Sequence, residues 1–420
     1  MTTGAATGLA AQLAEDAAER FLRYVRIDTQ SDEDSESYPS TAKQFDLLNL
    51  LLDELKELGL DDAAIDEHGY VTATLPATVD DEVPTIAFFA HVDTAREVSG
   101  ANVNPQRFRY DGGDIVLGSS GSMIRPEESA QLAHHVGHEL ITTDGTTLLG
   151  ADDKAGIAEI MAAVAYLLAH PELPHGPVKV AFNPDEEIGR GVIHFPVDTF
   201  GAVAAYTVDG STAGEVQQET FSGAQVRIKL RGRAIHPGWA KGELVNAVKL
   251  AAELIGRLPT DRFSPETTSG REGYVHPIVM SGDSSEVEIR FIVRDFENNL
   301  LDEHVAYLRR LADEVAATDP RCSIEFETRI QYRNMRDTLE LHPEIVANLE
   351  AAVRRVGLEP RRTAIRGGTD GSALTEMGLP TPNIFTGGHD AHSEREWICI
   401  EDMGLASATV VELAQVWAEQ

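Results

Sequence analysis

Ile86-Ala87-Phe88-Phe89-Ala90-His91-Val92-Asp93 is the stretch on which the fold turns. Its first five residues are apolar without alternation, which reads as a strand buried on both faces, as in a sheet with helices on either side. A histidine stands at the carboxyl end of that run, and a carboxylate follows two positions later. The same design recurs. Val178-Lys179-Val180-Ala181-Phe182 runs into Asn183-Pro184-Asp185-Glu186-Glu187, and Val203-Ala204-Ala205-Tyr206-Thr207-Val208 runs into Asp209. Open α/β sheets bind ligands beyond the carboxyl ends of their strands. Strands that each deliver metal-ligand residue types to that edge predict one shared site.

Around this centre the pattern predicts helices over 13–26 and 41–58, the second closed by Gly59 as its cap, with an acidic, Ser-rich loop over 28–40 between them. Strands follow at 70–75 and 85–90. Residues 96–140 are rich in Gly, Ser and His with little periodicity and read as long loops. Gly150-Ala151-Asp152-Asp153 then sets two carboxylates at the start of a helix over 154–169, where the helix dipole favours them.

From residue 221 the grammar changes. A strand at 224–231 alternates, with Val226, Ile228 and Leu230 on one face. A helix at 244–257, a Ser/Thr/Gly-rich loop, a strand at 286–293, a helix at 300–317 and a strand at 323–328 follow, and the order is read as a ferredoxin-like βαββαβ pattern with three of its four strands placed. Beyond it the chain returns to helix (343–356), Gly-rich turn (365–371) and buried strand (383–385). The expected fold is α/β: a mixed sheet flanked by helices in a catalytic domain (13–220 and 331–420), interrupted by an inserted domain (221–330). Residues 1–12 are expected to be a disordered extension.

A chain of 420 residues exceeds the size at which one core stops growing, in keeping with two domains. Its 69 acidic against 35 basic residues give a net charge of −34, which opposes binding to nucleic acid or to anionic membranes. Cys322 and Cys399 stand far apart, which argues against a disulfide scaffold and for a reducing compartment. The small, polar start lacks the basic and apolar regions of a signal peptide, and no apolar run reaches membrane-spanning length. The expectation is a soluble, cytoplasmic protein. His134, His135 and His138 suggest a metal cluster by composition, but in a loop-like segment they read as surface residues. Gly112-Gly113 and Gly367-Gly368 are turn glycines, since no phosphate-loop pattern surrounds them.

A dinuclear metal centre needs imidazole and carboxylate donors, one carboxylate bridging both ions. Zinc suits that set, and manganese and cobalt accept it. Ions about 3.5–4 Å apart hold a hydroxide and polarise a substrate carbonyl. The candidate ligands are His91, Asp152, Glu187, Asp209 and His392. Adjacent Glu186 and Glu187 point in different directions, so one can bind metal while the other handles a proton. Asp93 can orient His91.

His91-Val-Asp93, Gly150-Ala-Asp152-Asp153-Lys154-Ala-Gly156, Asp185-Glu186-Glu187-Ile-Gly189, Val208-Asp209-Gly210 and the late His392 resemble, in order, the motifs of the zinc peptidases of the M20 type. The resemblance extends from about residue 13 to the C-terminus. It implies that Asp152 bridges two Zn²⁺ ions per subunit. His91 and Asp209 would complete one ion, and Glu187 and His392 the other. Glu186 would act as general base and Asp93 would support His91. Relatives often have a cis peptide after the bridging aspartate, here Asp152–Asp153. The resemblance makes the inserted domain a lid. His236, Asn246 and Arg294 would contact substrate from it, Arg366 would grip a peptide carboxylate, and a homodimer could place His236 at the neighbouring subunit's site.

The last ligand stays open at this point. The chain reads Gly387-Gly-His389-Asp-Ala-His392-Ser-Glu-Arg-Glu396, with His389 where relatives usually have an aromatic residue. Spacing to Glu396 favours His392. The implied activity is a dizinc aminopeptidase that removes the N-terminal residue of short peptides, tripeptides above all. Another M20-type activity (dipeptidase, carboxypeptidase or N-acyl-amino-acid amidohydrolase) is the alternative.

Overall fold

The structure, a computed structural model, describes residues 3–80, 82–118 and 120–419. The chain forms two compact units: Met1–Gln218, Met335–Thr363 and Thr369–Gln420 make one, and Glu219–Asn334 with Ala364–Gly368 the other. The seams thus lie a few residues from those read in the sequence, and a short late segment joins the second unit. Hydrogen bonding explains that segment: the Phe221 N–H donates to Ile365 O (3.0 Å), and the Arg366 side chain donates through Nη1 to Gly270 O (2.6 Å).

The first unit is built on an eight-stranded mixed sheet, in the order Ala64–Ile65, Val71–Leu75, Val178–Asn183, Ile86–His91, Ala204–Gly210, Asn383–Phe385, Glu215–Thr220, Arg361–Ile365. Ile86–His91 lies parallel to both neighbours, and Asn383–Phe385 runs parallel to Ala204–Gly210. Every residue of Ile86–His91 is buried. Ile86, Phe88 and Ala90 face one core, and Ala87 and Phe89 face another with Phe195 and Phe200. That two-sided burial is why the strand shows no alternation.

The helix Ala151–Ala169 is apolar around most of its girth because it is buried around most of its girth. It can lie against Ala204–Gly210 only because residue 156 is glycine: a Cβ there would stand 1.8 Å from Val208 O. On the same side lie the terminal helices Thr3–Tyr24 and Ile400–Ala418. The first of these corrects an expectation, since residues 3–12 are helical rather than disordered. Residues 1 and 2 lie outside the described residues. Alanine has the highest helix propensity, and Ala10, Leu13 and Ala14 bury themselves in the core. Gly404 admits that approach, for a Cβ there would lie 2.3 Å from Ala10 O. Buried Glu54, on the helix Gln44–Glu57, ties this layer by accepting from Arg20 Nη1 (2.9 Å), Arg23 Nη1 (2.7 Å) and the Tyr24 hydroxyl (2.6 Å).

The segment 96–140 is also more ordered than its composition suggests. It contributes Gln106–Arg109 to a four-stranded sheet with Glu139–Thr142, Trp397–Cys399 and Gly388–His389. Tyr110, Ile115, Leu132, Leu140 and Trp397 pack a small core beside it. The partner strand comes from the far end of the chain, so no local periodicity announces the sheet. His135, read as a surface residue, is buried here at 6% exposure.

The second unit has the element order Ser222–Arg231, Ala247–Gly256, Tyr274–Gly282, Glu286–Asp295, Asn298–Ala316, Ser323–Tyr332, an antiparallel four-stranded sheet with two helices. Tyr274–Gly282 is the strand hidden in the Ser/Thr/Gly-rich segment. Ala224, Val226, Ile228 and Leu230 pack with Leu250, Leu254, Leu301 and Leu308 in its core. The alternate positions carry an ionic lattice, with Arg227 paired to Glu288 and Glu327. No helix among the described residues is long and apolar enough to cross a membrane.

Candidate active site

Residues at the carboxyl ends of the central strands converge with the start of the helix Ala151–Ala169. The His91 N–H donates to Asp153 Oδ2 (3.2 Å), and its ring Nδ1 faces Asp93, 3.1 Å from the backbone oxygen and 3.3 Å from Oδ1. Those contacts turn Nε2 inward, 3.1 Å from Asp152 Oδ1 and 3.8 Å from Asp209 Oδ1. The other oxygen of Asp152 lies 3.3 Å from His392 Nε2, which is also 3.0 Å from Glu187 Oε2. Asp152 therefore stands between the two imidazoles, one oxygen towards each.

The supporting bonds explain how the sequence holds this shape. Fully buried Asp93 accepts from the backbone N–H groups of Glu186 (2.9 Å) and Glu187 (3.2 Å), so it positions the two glutamates as well as His91. Glu396 accepts from the N–H groups of Leu149 (2.7 Å), Gly150 (2.7 Å) and Asp152 (3.0 Å), clamping the turn that presents Asp152. The Asp152–Asp153 peptide is cis. Asp185 accepts from Ser40 N (2.6 Å) and Gln44 Nε2 (2.6 Å), which anchors the turn ahead of Glu186. Asp370 accepts from Asn183 Nδ2 (2.6 Å) at the end of the strand Val178–Asn183. Sequence reading gave these last three residues no role, although each lies in or beside a motif it quoted.

The electrostatics test whether these residues fit a metal. Burial pushes the Asp152 carboxyl up, but hydrogen bonds from His392 and His91 outweigh it and hold the group below the usual carboxylate range. Burial, then the Asp152 charge, push Glu187 up to about 7. Burial also carries Glu186 and Asp209 well above the ordinary value. Among the described residues no Lys or Arg pairs with Asp152, Glu187 or Asp209. Buried Glu187 Oε1 has no hydrogen-bond partner among them. Crowded carboxylates without a neutralising base, facing imidazole nitrogens, form a site short of positive charge. Donor atoms of His91, Asp152 and Glu187 lie within 4.8 Å of one another, as do those of His91, Asp153 and Asp209. The residues fit divalent ions.

His389 is not in this group. Its Nδ1 lies 3.2 Å from Ser211 Oγ and its ring packs on Trp397, with centroids 4.3 Å apart. The remaining candidates belong to the second unit. Exposed His236 accepts from Gly238 N (3.1 Å) and packs on Trp239 (4.4 Å between centroids). Asn246 caps the helix Ala247–Gly256, its Oδ1 accepting from Val248 N at 2.9 Å. Arg294 donates to Val293 O (3.0 Å) and lies 5.4 Å from the Tyr332 ring centroid. The Arg366 guanidinium lies 5.0 Å from the Phe221 ring centroid.

Imidazoles and unneutralised carboxylates gathered at the strand ends of an α/β sheet make the donor set of a divalent-metal enzyme. Residues 136–416 match the profile of peptidase family M20/M25/M40. The chain is 49% identical over 404 residues to a protein named Peptidase T from Bacillus velezensis, covering 96% of this chain and 98% of that one. It is 48% identical over 408 residues to Peptidase T of Bacillus subtilis (strain 168), covering 97% and 99%. In fold it resembles the aminopeptidase PepT from Bacillus cereus ATCC 10987 (TM-score 0.73, 23% identity, 96% and 99% covered). It also resembles a tripeptidase from Staphylococcus aureus (TM-score 0.75, 21% identity, 97% and 99% covered). The chain belongs to peptidase family M20/M25/M40, and within it is a metallo-aminopeptidase.

Proposed function

We propose that the enzyme is a dizinc aminopeptidase that releases the N-terminal residue of tripeptides in the cytoplasm. The observation that carries the reading is the position of Asp152, with one oxygen 3.1 Å from His91 Nε2 and the other 3.3 Å from His392 Nε2. His91 and Asp209 would hold one ion, Glu187 and His392 the other, and Asp152 both. When bound, such a pair supplies Lewis-acid polarisation of the scissile carbonyl and acidifies a water. Zinc suits the nitrogen and oxygen donors, with manganese or cobalt as substitutes. The tripeptide substrate follows from the likeness to proteins named Peptidase T and tripeptidase.

Glu186 takes a proton from the attacking water as the carbon–oxygen bond forms. It returns that proton to the leaving nitrogen as the carbon–nitrogen bond breaks. Asp93 keeps Glu186 in place through the backbone and keeps His91 turned inward. His236, Asn246, Arg294 and Arg366 are the substrate contacts of this reading. Arg366 is the partner for the peptide carboxylate, a task that suits a planar guanidinium.

The test joins chemistry and specificity. E186Q is expected to lose turnover ~100- to 10,000-fold, the range general acid–base catalysis supplies, while metal content stays at the wild-type level. Wild-type enzyme offered di-, tri- and N-acetylated peptides is expected to prefer unblocked tripeptides. Rapid hydrolysis of only the acetylated set would refute the aminopeptidase reading, and full activity in E186Q would refute the assigned base.

A further inference from the structure

We propose a second metal site, separate from the candidate active site: His135, His389 and Asp402 hold one zinc ion. One ring nitrogen of each histidine and a carboxylate oxygen of Asp402 lie within 4.8 Å of one another. The three residues are 6%, 7% and 6% exposed. They come from three places in the first unit: the turn Leu132–His135, the strand Gly388–His389 and the first turn of the helix Ile400–Ala418.

Hydrogen bonding at Nδ1 leaves Nε2 of each imidazole as the nitrogen that can meet a cation. His135 Nδ1 lies 2.9 Å from Gln131 O, and a carbonyl can only accept, so that nitrogen carries the hydrogen. The Ser211 hydroxyl donates to Gly388 O (2.7 Å), so its oxygen accepts from His389 Nδ1 at 3.2 Å. In His389 the remaining nitrogen, Nε2, is buried and has no hydrogen-bond partner among the described residues. In His135, Nε2 faces Asp402 Oδ2 at 2.9 Å. A nitrogen lone pair and a carboxylate oxygen this close need a cation between them, either a proton or a metal.

Two imidazoles and a carboxylate, each withdrawn from water, are a zinc donor set with the fourth position left for water. Each imidazole is oriented from its far nitrogen by an oxygen acceptor, the arrangement that aligns metal-binding histidines. Zinc would displace the proton His135 otherwise shares with Asp402, releasing it to solvent. Cys399 and His138 lie next to the site, with Sγ 3.7 Å from His138 Nδ1. Cys399 instead donates to Glu401 Oε2 (3.4 Å), and burial keeps its thiol protonated, so it is left out of the ligand set. The ion would tie the turn and the helix start to the base of the segment 387–396, which carries His392.

The experiment uses the full-length enzyme loaded with Zn²⁺ and dialysed. Crystals measured at the zinc absorption edge are expected to show an anomalous peak among His135, His389 and Asp402, read separately from any peak at Asp152. Metal content by mass spectrometry is expected to fall by one equivalent in H389F and in H135F. No peak at these residues, with the His135–Asp402 distance unchanged, means a shared proton fills the place and overturns the proposal. Unchanged zinc content in folded H389F overturns it as well. The crystallographic measurement needs no variant, so it decides even if neither substitution folds. Failure here leaves the Asp152 site untouched, and the reverse holds too.

Discussion

At the scale of single residues, the site depends on carboxylates that touch backbone rather than substrate. Glu396 is the clearest case. Its oxygens satisfy three N–H groups in the turn before and at Asp152, and a buried N–H left without a partner costs about 1–3 kcal/mol. E396A is expected to lower metal affinity about 10- to 100-fold, the range for residues that orient metal ligands, and turnover falls with it. Metal titration of apoenzyme checks this, and wild-type affinity in the variant contradicts it. His91, Asp152, Glu187 and Asp209 were visible in the sequence because each sits next to an apolar run or a helix start. The clamp by Glu396 was not, because nothing near residue 396 indicates which turn its carboxylate will meet.

Elements pack closely enough here that single atoms decide their spacing. G156A would place a methyl group against Val208 O and 2.5 Å from Asp153 Oδ1. The expected loss is about 1–3 kcal/mol for overpacking, together with lower activity, because the displaced helix start carries Asp152. Circular dichroism melting and a peptide assay would show both. E54A removes the carboxylate that the Arg20 and Arg23 side chains share, and Arg20 is largely buried at 13% exposure. Removing one partner of such a pair costs about 3 kcal/mol, read as a lower denaturation midpoint with unchanged slope. The helix Ala151–Ala169 and the strand Ile86–His91 were legible from composition because burial on all sides leaves a continuous apolar run. Gln106–Arg109 and Tyr274–Gly282 were not, because their patterns are short or carry Gly, Pro and Ser.

For the whole molecule, a net charge of −34 is the dominant long-range term. Like charges on a compact chain repel, and salt screens that repulsion with a Debye length of about 30 Å at 0.01 M and about 10 Å at 0.1 M. The melting temperature is therefore expected to rise between those two ionic strengths in sodium chloride, and a fall would mean that favourable ion pairs such as Arg227–Glu288 outweigh the net repulsion. The sequence by itself determined the α/β class, the apolar strands of the mixed sheet and the ligand-type residues at their ends. All three rest on side-chain periodicity and neighbouring residues. Only the tertiary structure decided that His392 meets Asp152 and Glu187 while His389 joins His135 and Asp402. It also decided that Trp397–Cys399 gives Glu139–Thr142 a partner strand. All of those contacts but His389–Asp402 join residues about 200 or more positions apart, and whether they form depends on packing summed over the whole chain, which no local window contains.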